Sequence, residues 1–110
     1  MEKQRAIDNL KTQIAAVDGL SRLRRDALEF NKWKLDTKLA IAQIFGPNSR
    51  HLKDFSNIRY FLPVMGATEQ QRQQAHHEAL KDAAGLLRSF IDEINDRWVD
   101  ETLQPKKAPP

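Results

Sequence analysis

The sequence predicts an all-α fold, a small four-helix and mostly antiparallel bundle. Three observations predict it. Glycine occurs 4 times and proline 5 times in 110 residues, and Pro105, Pro109 and Pro110 sit in the last six, so the body of the chain is nearly free of helix breakers. Val, Ile, Thr and the aromatics never alternate over the length of a strand. His76, Ala79/Leu80, Ala83, Leu87, Phe90, Ile94 and Trp98 keep a helical period over six turns. Residues 1–103 are expected to form the bundle. Residues 104–110, rich in Lys, Pro and Ala, are expected to be a disordered tail.

The first helix is read from Glu2 to Val17, with Ile7, Leu10, Ile14 and Val17 as a narrow apolar stripe. Asp18-Gly19 is expected to end it, glycine being the usual residue just past a helix C-terminus. The second helix starts near Ser21 or Asp26 and runs to Phe45. At 100° per residue, Phe30, Trp33, Thr37, Ile41 and Ile44 share one side, and Leu28, Leu35, Leu39 and Ala42 share the opposite side. One neighbour cannot cover both sides. This helix is either the centre of the bundle or touches the bundle on one side and another subunit on the other. Of its two polar edges, one carries Asn31, Lys34 and Lys38 without an acid. The other is mixed, with Glu29, Lys32, Asp36 and Gln43.

Gly46-Pro47 stops the second helix. Asn48 or Ser49 can cap a short third helix with Leu52, Phe55 and Ile58 on its inner side. Arg59 to Gly66 reads as an extended connector, and its Phe61, Leu62, Val64 and Met65 are unusually apolar for a loop. Thr68-Glu69-Gln70-Gln71 opens the fourth and longest helix with a capping box. Gly85, inside it, is expected to admit a close neighbour, the second helix. The second helix is expected to be the most buried, and Trp33, Phe45, Phe55, Phe90 and Ile94 to lie in the core.

Composition removes several classes of function. The chain has no cysteine, which excludes disulfides, thiolate metal sites and thiol nucleophiles. The longest apolar runs fall far short of the ~20 residues that span a bilayer, and the N-terminus lacks an apolar signal-peptide core. A cytoplasmic protein with no membrane partner is expected. Residues 1–60 hold 12 Lys and Arg against 7 Asp and Glu, and residues 61–110 hold 6 against 8. A basic first half suits an anionic partner, and equally suits an acidic half within the fold or in another subunit.

Candidates for catalysis are few. His77-Glu78 resembles the opening of a zinc-protease motif, but Lys81 stands where the second histidine belongs. His76 lies on the apolar stripe, as a packed histidine does. Asp92, Glu93, Asp96, Asp100 and Glu101 read as a solvated acidic face at the unfavourable end of the helix dipole, with Arg22, Arg24 and Arg25 as one source of relief. No glycine-rich phosphate loop exists. The chain is therefore expected to be non-enzymatic, without metal or cofactor. Sequence-specific DNA reading is not expected, because the second helix spends two faces on apolar contacts. A small anionic ligand needs less. Arg50, His51, Lys53, Arg59 and Tyr60, with Lys34 or Lys38 from the second helix, are the candidate ligand-binding residues. Arg50 or Arg59 would hold a phosphate and Tyr60 would stack on a base. The competing expectation makes Tyr60 a core plug and pairs the basic residues with Asp54 and the acidic end of the fourth helix.

The central segment also carries a family resemblance. Glu29-Phe30-Asn31-Lys32-Trp33-Lys34, Ile44-Phe45-Gly46-Pro47-Asn48-Ser49 and Lys53-Asp54-Phe55-Ser56-Asn57-Ile58-Arg59-Tyr60 resemble the E-F-x-x-W, I/L-F-G-x-x-S and E/D-F-x-x-I-x-F/Y pattern of a bacterial helical module. Gly85 to Ile94 resembles its last helix, so the likeness spans residues 20–98. The module is found ahead of TIR-like nucleotide-binding effector domains in prokaryotic antiviral systems, and in stand-alone prokaryotic and phage proteins. Most matching positions are apolar or turn residues, so the likeness bears on fold more than on a site. It implies a module of antiviral defence or phage counter-defence. As a homo-oligomer it would bind an anionic nucleotide second messenger as sensor or sponge. The alternative is a homo-oligomerisation or adaptor module that meets an effector protein and has no small ligand. An antitoxin-like or transcription-associated helical protein is a third, weaker reading.

Overall fold

Helix α1 spans Lys3–Leu20, α2 Leu28–Phe45, α3 Arg50–Ser56 and α4 Glu69–Arg97. The computed structural model describes residues 2–24, 27–60 and 65–98, and no strand occurs among them. The expected tail at 104–110 and the connector residues Phe61, Leu62 and Val64 lie outside the described residues.

The side chains give the helix directions. Lys3 Nζ donates to the Asn95 carbonyl at 3.4 Å, while Ile14 and Val17 line a groove with Gln74, Leu80 and Ala84. The start of α1 thus meets the end of α4, and the two run antiparallel. Gln13 meets Trp33 and Thr37, and Leu20 and Leu23 share a groove with Glu29 and Trp33, so α1 and α2 are antiparallel as well. Consequently α2 and α4 are parallel, with Phe30 beside His76 and Phe45 beside Phe90.

Backbone contacts form a ring: α1 touches α2 and α4, and α3 touches the same two from the other side. Helices α2 and α4 therefore stand on a diagonal, and only their long side chains meet. Phe30 packs edge-on to His76 at 4.5 Å, and Phe45 to Phe90 at 5.5 Å. Phe30 and Phe90, with Leu10, Ile41, Leu80, Leu87 and Ile94, are at the centre of the core, and Phe45 packs against it. Trp33 lies against Phe30 and Phe55. Its buried indole donates to the Gln13 carbonyl at 3.0 Å, which removes the cost of an unpaired N–H. Thr37, fully buried, donates to Gln13 Oε1 at 3.3 Å.

Local signals set the boundaries in several places. The Ser49 side chain accepts from the Leu52 N–H and caps α3. Thr68 and Gln71 form a complete capping box on α4. Gly46 closes α2 at φ 103°, in a region that favours glycine, and its N–H donates to the Ala42 carbonyl.

Three expectations need correction. Helix α1 runs through Asp18-Gly19 to Leu20, because buried Leu20 extends the apolar stripe one more turn. Helix α2 starts at Leu28, beyond both expected starts. It buries 6 of its 18 residues, against 9 of 29 in α4 and 5 of 18 in α1, the largest share among the four helices although its outward side faces solvent. Gly85 is exposed with nothing within 4 Å of where a Cβ would stand, so it admits no close neighbour. Of the five expected core residues, Trp33, Phe55, Phe90 and Ile94 are buried, and Phe45 is partly buried at the edge.

Candidate interaction surface and the basic cluster

The inner side of α2 is filled by Phe30, Trp33, Thr37, Ala40, Ile41 and Ile44. On the opposite side Leu28 is 79% exposed, Leu35 68% and Leu39 59%. Helical geometry places these leucines within about 40° of one another, on a stripe that continues to half-buried Ala42 and runs about 21 Å along the axis. Scattered surface leucines are ordinary, whereas Leu35 and Leu39 are neighbours one turn apart on the same side, with Leu28 two turns before Leu35 beyond Asn31 and Lys32. The patch is flanked by Lys32 and Asp36 on one side, with Nζ 3.9 Å from Oδ2. Asn31 and Lys38 flank it on the other.

The sequence-predicted anion site is only partly brought together. Arg50 and His51, on the first turn of α3, both turn towards Glu93 of α4. Arg50 reaches Glu93 Oε1 at 3.5 Å, and His51 Nε2 donates to Glu93 Oε2. The His51 ring lies flat on Phe45, with centroids 3.7 Å apart, and edge-on to Phe90 at 4.9 Å. Its Nδ1 is buried without a hydrogen-bond partner among the described residues. Glu93 is held below the ordinary glutamate value, chiefly by the His51 hydrogen bond; burial acts upward, and the charges of His51, Arg50 and Arg97 add to the lowering.

Tyr60 packs edge-on against Phe30 at 5.0 Å and Trp33 at 6.3 Å. Its hydroxyl is buried without a partner among the described residues, and burial pushes its pKa well above the ordinary phenol value. Lys34 Nζ stands 4.8 Å from the Phe30 centroid and 5.6 Å from the Tyr60 centroid, a cation over aromatic rings. Lys53 and Arg59 are exposed and Lys38 half-buried. The predicted residues thus divide into Arg50 and His51 clamped to α4, Lys34 and Tyr60 on the aromatic core, and three further cations along the surface.

The acidic end of α4 takes its charge relief from Arg50, His51 and Arg97. Arg22 instead pairs with Asp18 in its own chain segment at 3.1 Å. His76 is buried against Phe30. No three His, Asp or Glu side chains among the described residues converge as a metal site would require, and no helix among them is long and apolar enough to cross a membrane. A groove of about 540 Å³ between α1 and α4 has an apolar floor of Ile14, Val17, Leu80 and Ala84. Asp18, Ser21, Gln74, His77, Lys81 and Arg88 complete its lining, two cations to one acid.

Sequence reasoning missed Gln13 as the anchor of Trp33 and Thr37. The available signal was Thr37 itself, a hydroxyl on an otherwise apolar face that needs a partner. Comparison with protein-family models, curated proteins and solved structures finds no match to this chain.

Proposed function

We propose that this chain is a protein-interaction module that docks another polypeptide on the outward side of α2. The observation that carries the reading is the row of Leu28, Leu35 and Leu39, exposed on a helix whose other side is already filled by the core. Apolar area left in water on one stripe is a standing source of association free energy, about 25 cal/mol per Å² covered. The bundle supplies a rigid platform, with Trp33 and Thr37 pinning the middle of α2 to Gln13 of α1. Nucleotide binding stands behind this reading, because the Tyr60 ring, which would stack on a base, already packs on Phe30 and Trp33.

The test is a double substitution, Leu35→Glu with Leu39→Glu. Both positions face solvent, so the isolated variant should keep its unfolding free energy to within about 0.5 kcal/mol. Tagged and expressed in its native cells, the parent should retain bound chains, its own untagged copy or others, that the variant loses. Recovery of the same chains by both proteins would exclude this face.

A further inference from the structure

The groove of about 540 Å³ between α1 and α4 joins an apolar floor to a cationic wall. Lys81 and Arg88 stand on the α4 wall two turns apart, about 10 Å along the axis. Neither makes an ion pair among the described residues. Asp18 is the one acid in the lining, and its carboxylate is already met by Arg22 at 3.1 Å. His77 adds a donor. Its Nε2 lies 3.2 Å from Gln73 Nε2, an amide nitrogen that also donates to the Leu23 carbonyl. The ring therefore accepts at Nε2 and, when neutral, carries its proton on Nδ1. Past Ile14 and Arg88 the groove continues into a second hollow of about 410 Å³, where Lys11 and Asp92 balance and Ala15 and Ile91 are apolar. No Phe, Tyr or Trp lines either hollow, so nothing there stacks a base. Val17, Leu80 and Ala84 are each less than a tenth exposed, which sets the floor deep between its walls. A slim chain reaches such a floor, whereas a helix with its side chains would rest on the rim.

We propose that this groove binds a small amphipathic carboxylate, its aliphatic chain along the floor and its charge held by Arg88 and Lys81. The planar guanidinium of Arg88 suits a carboxylate in two parallel hydrogen bonds, and Lys81 adds a point charge on the same wall. An apolar pocket with a few polar groups that fix the ligand's orientation is the usual form of a small-molecule site. This site stands apart from the outward side of α2 and does not depend on it.

The test titrates the isotope-labelled chain with dodecanoate, kept below its micelle concentration, and follows the backbone amides by NMR. Signals of Ile14 to Ser21 on α1 and Gln74 to Arg88 on α4 should move, and those around Leu35 and Leu39 should not. Lys81→Gln with Arg88→Gln should weaken binding about tenfold through the loss of two exposed charge contacts. Both side chains are exposed, so the thermal midpoint of that variant should match the parent's. Dodecyltrimethylammonium, the same chain with a cationic head, should bind at least about tenfold more weakly than dodecanoate. Leu35→Glu with Leu39→Glu should leave the affinity for dodecanoate unchanged. Absence of any shift with dodecanoate would overturn the site. Shifts centred on Leu35 and Leu39, or binding lost with their substitution, would place the chain on α2 and overturn it as well. Equal binding of the cationic chain, or parent affinity in the Lys81 and Arg88 variant, would overturn the assignment of a carboxylate to these two cations.

Discussion

Glu93 sits near a helix C-terminus, where negative charge is disfavoured by the backbone dipole. Its partners Arg50 and His51 come from α3, a different element, so the carboxylate is a clamp between α3 and α4 as well as a surface charge. Its pKa is lower in the folded protein than in the unfolded chain. A group shifted in this direction adds stability above its ordinary value, and that stability is lost as pH falls through the lowered one. Glu93→Gln should therefore unfold at a lower temperature than the parent at neutral pH. The gap should close as pH is taken down through and below the ordinary glutamate range. Thermal melts at a series of pH values measure it, and a gap that stays constant into acid would assign the effect to packing. Tyr60 is the opposite case, a buried hydroxyl with no partner among the described residues that stays neutral throughout.

At the scale of the element, α4 is a 29-residue helix with one glycine in its interior. Gly85 is helical, exposed and free of any atom within 4 Å of a built Cβ. Alanine there restricts the unfolded chain and improves helix propensity without a clash. Gly85→Ala should raise the unfolding free energy by about 0.5–1 kcal/mol, read by denaturant titration, and a loss would reveal a neighbour on that side. The contrast with the capping residues shows which features a sequence discloses. Ser49, Thr68 and Gln71 act within one turn, and their roles are legible from spacing alone. The stripe through Phe90 and Ile94 is equally legible, since periodicity needs no knowledge of the partner. Gly85 needed such knowledge. A glycine serves a close approach only where another backbone comes near, and α2 lies across a diagonal filled with rings. Gly19 failed for a related reason, as burial of Leu20 outweighs the glycine's preference to end the helix.

At the scale of the molecule, α1 is the one long helix that packs against both α2 and α4. Without it, α2 and α4 would be joined only by long side chains and by the short α3. A chain starting at Ser21 should lose its cooperative thermal transition and much of its helical circular dichroism. A retained sharp transition would show that α2, α3 and α4 form a core by themselves. The candidate site was the least legible part of the sequence. The two-sided pattern of α2 was visible, but whether its leucines faced a neighbouring helix or water depended on the diagonal arrangement, which no periodicity encodes. Arg50, His51 and Tyr60 were visible as a cluster, but their partners Glu93, Phe30 and Trp33 lie far away in sequence or on another helix.

The contact between Lys3 and Asn95 links residues 92 positions apart, near the two ends of the bundle. During synthesis α1 and α2 leave the ribosome first and can pair at once through Gln13. The side of α1 that belongs to α4 then waits in water until nearly the whole bundle has been made. The nascent hairpin is apolar on both sides for that interval, with the outward leucines of α2 adding to the waiting stripe of α1. A message cut short before α4 would leave this hairpin permanently, and its product would be prone to aggregate or a client of chaperones.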